Sequence, residues 1–202
     1  MVDFFVQGGG FMWPILIALL FGLAIVGERA YSLINSSSNT DQFFDDVKTL
    51  YDDSGKEQAI EFCENTPGPV ASIFYAGLSK MEKTKEEIEK AVQNAGGLEM
   101  AFLEKNMIWI NSVITIAPML GFTGTVVGMI KAFEDIKMAN DISPAVVAGG
   151  ISQALLTTAF GLIVAMIMQV AQNFFVSMID KLILDMEEQS IKIVEYLHNS
   201  IK

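Results

Sequence analysis

Hydrophobic and polar positions fall in long blocks along this chain. Three windows, Phe4–Gly27, Asn106–Ile130 and Ile142–Ile179, carry no Asp, Glu, Lys, Arg or His, and the last runs for 38 residues. A helix needs about 20 mostly apolar residues to cross the hydrocarbon core of a bilayer. Each window therefore predicts one membrane-spanning helix, and the fold class is an all-α integral membrane protein with three spans. The first span is expected from about Phe11 to Val26, entered through Gly8, Gly9 and Gly10. Glu28 and Arg29 at its end read as an interfacial anchor that reaches headgroups and water. The third window would extend about 57 Å as one helix, beyond a core of roughly 30 Å. That helix is expected to leave the membrane and carry on past Asp180 and Lys181 as an amphipathic tail.

Between the first two spans the period changes to that of amphipathic helices. Residues 35–39 (NSSSN) read as a polar loop, and Thr40 as the cap of a helix with Phe43, Phe44, Val47, Leu50 and Tyr51 at helical spacing. Asp52 to Gly55 breaks it. A second helix carries Ala59, Ile60 and Cys63 and ends near Asn65 to Pro69, and a third covers roughly Val70–Lys80. Thr84-Lys85-Glu86-Glu87 has the spacing of a capping box. The helix it opens could run through Ala91, Leu98 and Phe102 straight into the second span, with Gly96 and Gly97 as its weak point. Such a region of about 75 residues is small for a core of its own. It is expected to pack on its own membrane helices or on copies of itself, with Cys63 in the core.

The later two spans are more polar and smaller-sided than an anchor needs. At 100° per residue, Pro118, Gly121, Thr125, Gly128 and Ala132 fall within an arc of about 80°. On the third span Gly150, Ala154, Thr157, Thr158, Gly161, Ala165 and Gln172 fall within about 100°. Gly121/Thr125 and Gly124/Gly128 have the small-xxx-small spacing that lets membrane helices approach closely. These faces fit two readings: close helix packing, or the lining of a common cavity. Gln153, Gln169, Gln172 and Asn173 lean towards the cavity, because amides in hydrocarbon need partners or water. Periodicity alone does not separate the two.

Charge adds an orientation. Of 13 basic residues, 11 lie in the first loop or the C-terminal tail and only Lys131 and Lys137 between the last two spans. The positive-inside rule then puts the N-terminus outside and the C-terminus inside. The first window has no basic residue before it and no small-residue cleavage pattern after it, so it reads as a retained span rather than a signal peptide. A net charge of −11 argues against nucleic acid or an anionic lipid surface as partner. One cysteine excludes a disulfide framework or a Cys-clustered zinc site. One histidine, His198, near the C-terminus is a poor base for nucleophilic catalysis, and no phosphate-binding glycine loop occurs. The chain is expected not to be an enzyme and to need no cofactor or metal. A proton path usually needs a titratable group at membrane depth. These spans have none, so a carboxylate from another protein must carry any proton, with Thr125 and Thr158 offering hydroxyls beside it.

The runs APMLGFTGTVVGMIKAF (Ala117–Phe133) and ISQALLTTAFGLIVA (Ile151–Ala165) resemble those of the ExbB/TolQ/MotA family of proton-driven motor subunits. There an A-P-x-L-G-x-x-G-T-V-x-G-M run precedes an xxAL-x-T-T-A-x-G-L run. Three spans and modest length look most like the ExbB branch. The resemblance implies an inner-membrane ring of five subunits around a dimer of a single-span ExbD-like or TolR-like partner, which brings a membrane aspartate. Thr125 and Thr158 match the family's pore threonines, joined in the ion pathway by Thr157 and Gln153, and Pro118 matches its second-span proline. Gly121, Gly124, Gly128, Ala154, Gly161 and Ala165, with Pro118, would then form the helix-packing and partner-facing surface. A TonB-like protein would pass the work to outer-membrane transporters. On this reading residues 1–30 hold the periplasmic N-terminus and first span, 31–104 a cytoplasmic helical region and 105–133 the second span. Residues 134–143 form a periplasmic loop, 144–178 the third span and 179–202 a cytoplasmic C-terminal helix. Three departures stand out: Gln153 where many members place glutamate, Met166-Ile167-Met168 without the usual proline, and Gln172-Asn173 in place of Tyr-Asn.

Three functions compete. The first is an ExbB-type energy transducer, and the second a TolQ-type or MotA-like stator serving envelope integrity or motility. The third is a pore or membrane scaffold that needs no partner.

Overall fold

The computed structural model describes residues 2–36, 40–139 and 144–200, which contain no strand. In chain order the helices are α1 (Val2–Gln7), α2 (Met12–Ser36), α3 (Thr40–Ser54), α4 (Lys56–Asn65), α5 (Pro69–Ser79), α6 (Lys85–Leu103), α7 (Met107–Ala139) and α8 (Pro144–Ser200). The fold is all-α. By length and composition three helices can cross a membrane, as the uncharged windows predict: α2, α7 and α8.

Local chemistry sets the helix ends. Gly55, at φ 88°, separates α3 from α4, and Gly68, at φ 133°, precedes Pro69 at the first turn of α5. Side-chain-bearing residues avoid those angles, and proline suits a first turn because its missing N–H has no partner there anyway. At α6 the expected capping box is present. The Glu87 amide donates to Thr84 Oγ1 at 3.4 Å and the Thr84 amide to Glu87 Oε2 at 3.2 Å. Such a cap is worth about 1 kcal/mol.

Several boundaries differ from the sequence reading. Thr40 is the first residue of α3 rather than its cap; Asn35 and Ser36 close α2, and residues 37–39 of the expected loop lie outside the described residues. α6 passes unbroken through Gly96 and Gly97, and Ile88, Val92 and Leu103 lie buried along it. The break before the second span comes instead at Glu104–Asn106. There the Glu104 amide donates to Met100 O at 3.0 Å and the Lys105 amide to Phe102 O at 3.2 Å, and Asn106 turns left-handed at φ 65°. Asparagine tolerates that region better than most residues. α7 continues to Ala139, into the expected outer loop, of which residues 140–143 lie outside the described residues. α8 is one helix of 57 residues. Arg29 is not an interfacial anchor. It is 1% exposed, and its Nη1 donates to the Phe102 carbonyl at 3.4 Å, near the C-terminal end of α6 where a cation is favoured.

The chain divides into two compact units, residues 1–28 with 106–174, and residues 29–105 with 175–202. The first holds α1, the start of α2, α7 and the first part of α8. Many of its large apolar side chains point outward, Trp13, Leu20, Phe122, Leu155 and Val170 among them, while Ala117, Ala132 and Ala154 lie buried. Lipid gives no hydrophobic gain on burying Leu or Phe, so helices there associate by close approach of small residues. The second unit follows the opposite rule. Ile73, Phe74, Leu78, Ile88, Ile193 and Leu197 are fully buried. Phe43 lies 5.5 Å from Phe62 and 5.4 Å from Phe74, ring centre to ring centre. Each such side chain contributes about 1.5–3 kcal/mol in water, more than an exposed ion pair such as Lys56–Glu82 at about 0–1 kcal/mol. Cys63 belongs to this core, and burial pushes its thiol up to about 12.

Candidate functional site

The site lies in the first unit, where α7 meets the start of α8. The contact is close because neither helix has bulk at the crossing. A Cβ added to Gly121 would sit 2.9 Å from the Thr157 carbonyl oxygen, and one on Gly161 would sit 2.5 Å from the Ala117 carbonyl oxygen. Carbon atoms do not approach oxygen that closely, so glycine is required at both positions. Gly124 faces the Thr157 side chain, and Gly128 faces Ala154, whose Cβ would lie 3.2 Å away. Further along, Gly150 packs on Ala132.

Backbone-to-backbone proximity brings three hydroxyls to one carbonyl. Thr125, Thr157 and Thr158 reach Gly121 O at 3.2, 3.4 and 3.1 Å. Thr125 Oγ1 and Thr158 Oγ1 are also hydrogen-bonded to each other. Thr157 has a better acceptor in Ala154 O at 2.7 Å, and Ala154 O also lies 3.1 Å from Thr125 Oγ1. A hydroxyl has one proton and two lone pairs. In the Thr125–Thr158 pair one proton bridges the two oxygens and the other goes to a backbone carbonyl. Both donors are thus used, while lone pairs remain. Thr125 and Thr158 are half-buried. The pair is set to accept a hydrogen bond from a neutral O–H. To donate to an anion, a hydroxyl must first give up a hydrogen bond it already makes, at about 0.5–1.5 kcal/mol.

The expected site residues divide between two environments. Thr125 and Thr158 come together with an open flank, and Pro118 is half-buried one turn before Gly121. Lacking an N–H, Pro118 leaves the Ile114 carbonyl without its helical donor. Thr157 is 1% exposed and its hydroxyl is spent inside the contact. Gly121, Gly124, Gly128, Ala154, Gly161 and Ala165 are buried within the chain. Gln153 stands apart from the threonines: its amide nitrogen lies where a side chain on Gly9 would go. Gln169 donates to Asn173 Oδ1 at 2.9 Å, whereas the buried Gln172 Oε1 has no partner within the described residues. Sequence reasoning missed the carbonyls of Gly121 and Ala154 as the acceptors that organise the site. Backbone atoms leave no signal in residue type. Among the described residues no three His, Cys, Asp or Glu side chains gather as a metal site would need.

Residues 65–188, which include both motif runs, match the MotA/TolQ/ExbB proton channel family. An ExbB-like biopolymer transport protein of Synechocystis sp. is 29% identical over 173 residues, 85% of this chain and 82% of that one. An ExbB homolog of Methanothermobacter thermautotrophicus is 28% identical over 180 residues, 89% of this chain and 64% of the relative. The Tol-Pal system protein TolQ of Pseudomonas aeruginosa is 27% identical over 144 residues, 64% of this chain and 58% of that one. The chain thus spans less than two thirds of the last two relatives. With its three apolar helices and a family match over more than half its length, the chain belongs to the MotA/TolQ/ExbB proton channel family.

Proposed function

We propose that this chain is the ring subunit of an inner-membrane motor driven by the proton-motive force, in which the Thr125–Thr158 pair receives a carboxyl group brought by a partner. The observation that carries this reading is the half-buried hydroxyl pair, with its donors used and its lone pairs free, in helices without a titratable group from Met107 to Ile130 and from Ala148 to Ile179. The pair can hold a neutral acid by accepting its O–H. Once the acid ionises, the same pair must give up a carbonyl hydrogen bond to keep it. That preference makes the site release a carboxylate and rebind the protonated form, which is what a proton-coupled stepping contact needs. The small side chains are taken up inside the α7–α8 contact, so a partner helix would meet the rim of Pro118, Thr125 and Thr158.

The partner is a single-span ExbD-like or TolR-like protein with a membrane aspartate, the assembly a homopentamer, and the chain's N-terminus periplasmic with its C-terminus cytoplasmic. The role is transduction rather than enzymatic chemistry, with a TonB-like protein as the outlet. Similarity to the Tol-Pal protein TolQ of Pseudomonas aeruginosa supports a second reading, a stator of the same mechanism serving envelope integrity.

The test is native mass spectrometry of the detergent-purified chain, alone and co-expressed with an ExbD-like or a TolR-like candidate. A pentamer that gains two partner copies is the expected result, and the candidate that binds separates the two readings. A monomer or dimer indifferent to both would overturn the motor in favour of a self-sufficient pore or scaffold.

A further inference from the structure

On one side of the hydroxyl pair, α7 and α8 each carry a line of uncharged polar side chains. At 100° per residue Asn111 and Thr115 fall with Thr125 within an arc of about 80°, and Gln169 and Gln172 with Thr158 within about 60°. Both lines lead the same way: as α7 steps back from Gly128 through Gly121 to Ala117, its contacts on α8 step forward from Ala154 through Thr157 to Gly161. Each line ends fourteen residues from its threonine, about 21 Å along the axis. Pro118 comes between Thr125 and Thr115, and the Ile114 carbonyl that it leaves without a helical donor adds an acceptor on the way.

Depth and exposure decide what these groups face. A Cβ on Gly22 would lie 2.7 Å from Met168 Sδ and 3.4 Å from Val113 Cγ1. Gln169 follows Met168, and Val113 stands between Asn111 and Thr115, so all three lie close to the level of Gly22. Gly22 is six residues, about 9 Å, before Glu28, the charge that ends the apolar run of α2. Asn111, Thr115 and Gln169 are exposed on the chain, and Gln169 donates to Asn173 Oδ1 at 2.9 Å. The buried Gln172 Oε1 has no partner among the described residues. Amides that face lipid at this depth lose the hydrogen bonds that water gives them. An amide offers donors and an acceptor, and a hydroxyl one donor and two lone pairs, so together they can hold waters in file without adding charge. We infer that this ladder lines a water-filled limb, which carries the proton from the partner's carboxyl at Thr125 and Thr158 towards the end where α7 begins. That end is cytoplasmic in the proposed topology. The proton leaves the carboxyl for the nearest water and hops along the file, and no side chain of this chain is titrated. What travels in the limb rests on the motor reading, whereas water in the limb is measurable without it.

The test places single cysteines in the full-length chain on a Cys63→Ala background, with and without the ExbD-like candidate, in inside-out inner-membrane vesicles. Asn111→Cys, Thr115→Cys and Gln169→Cys should react with a membrane-impermeant cationic methanethiosulfonate at least about tenfold faster than Ile116→Cys and Val170→Cys. The latter two positions are exposed on other faces at the same depth, and only a hydrated thiol ionises readily enough to react. In proteoliposomes of the purified complex, Gln172→Leu should lower proton flux at least about tenfold with native mass unchanged, and Gln172→Asn, which keeps an amide, should retain most of it. Equally slow labelling on all faces would overturn the limb and make the amides dry helix contacts, whatever partner is bound. Full flux in Gln172→Leu would overturn it as well. Fast labelling of the ladder in a chain that recruits no partner would leave the limb standing and sink the motor reading instead.

Discussion

Thr125 on α7 and Thr158 on α8 are hydrogen-bonded to each other and share the Gly121 carbonyl, at 3.2 and 3.1 Å. Their neighbour Thr157 turns the other way, with its hydroxyl 2.7 Å from Ala154 O and almost no exposed surface. Two adjacent threonines on one helix thus have different surroundings, one half-buried and one closed inside the packing.

That difference can be measured. Thr158→Val keeps shape and removes the hydroxyl, so partner-dependent transport should fall at least about tenfold, the scale of one lost hydrogen bond to a reacting group, while the ring still assembles. Thr157→Val should retain transport but lose about 1 kcal/mol of stability, roughly 2–4 °C in melting temperature. Full activity in Thr158→Val, measured as energised uptake in cells, would remove that residue from the mechanism.

Two glycines make a second contrast. Gly161→Ala puts a carbon 2.5 Å from the Ala117 carbonyl oxygen and must push α7 and α8 apart. Thermal unfolding in detergent should register a loss of about 1–3 kcal/mol. Gly97→Ala meets open space in a helix interior and should gain about 0.5–1 kcal/mol. Equal responses would mean that the crossing is looser than its geometry.

Gln153 packs against Gly9 rather than on the threonines. Gln153→Glu is expected to introduce a titratable group on the flank of the pathway and to alter the pH profile of coupled activity. An unchanged profile from acid to neutral pH would place position 153 off the proton route.

In the second unit Asp41 joins α3 to α8. Lys192 Nζ and Gln189 Nε2 donate to Asp41 Oδ1 at 2.8 and 2.9 Å. The hydrogen bond from Lys192, then that from Gln189, holds the Asp41 carboxyl below its ordinary value of 3.8. The bonds to Asp41 and then Glu188 lift Lys192 from 10.5 to about 12. A lowered carboxyl contributes stability above its unfolded value and loses it as pH falls through the folded one. A raised amine contributes below its unfolded value and loses it on the way up to the folded one. The tie should therefore be intact at neutral pH and fail below about pH 3.8 and between about 10.5 and 12. Asp41→Asn should flatten both limbs of a melting-temperature profile by a small amount, because the pair is exposed.

Much of this protein was legible in its residues. Three uncharged windows dictated three spanning helices, since hydrocarbon rejects charge and forces the backbone to satisfy itself. The Thr84–Glu87 box and the Gly68-Pro69 step fixed helix starts, because caps and turns act within a few residues. The small faces of the two later spans could be drawn from periodicity, and the family resemblance singled out Thr125 and Thr158. Sequence left open whether those faces packed or lined a cavity, because a helical wheel gives direction without distance. The tertiary structure shows the packing: the glycines and alanines close on each other, and Thr125 and Thr158 stay half-buried beside them. It also decided that Arg29 is buried against Phe102, and that α6 breaks at Asn106 and not at Gly96 and Gly97. Those outcomes depend on neighbours dozens of residues away, and on backbone carbonyls that every residue possesses alike. Such contacts arise only when the helices are laid side by side.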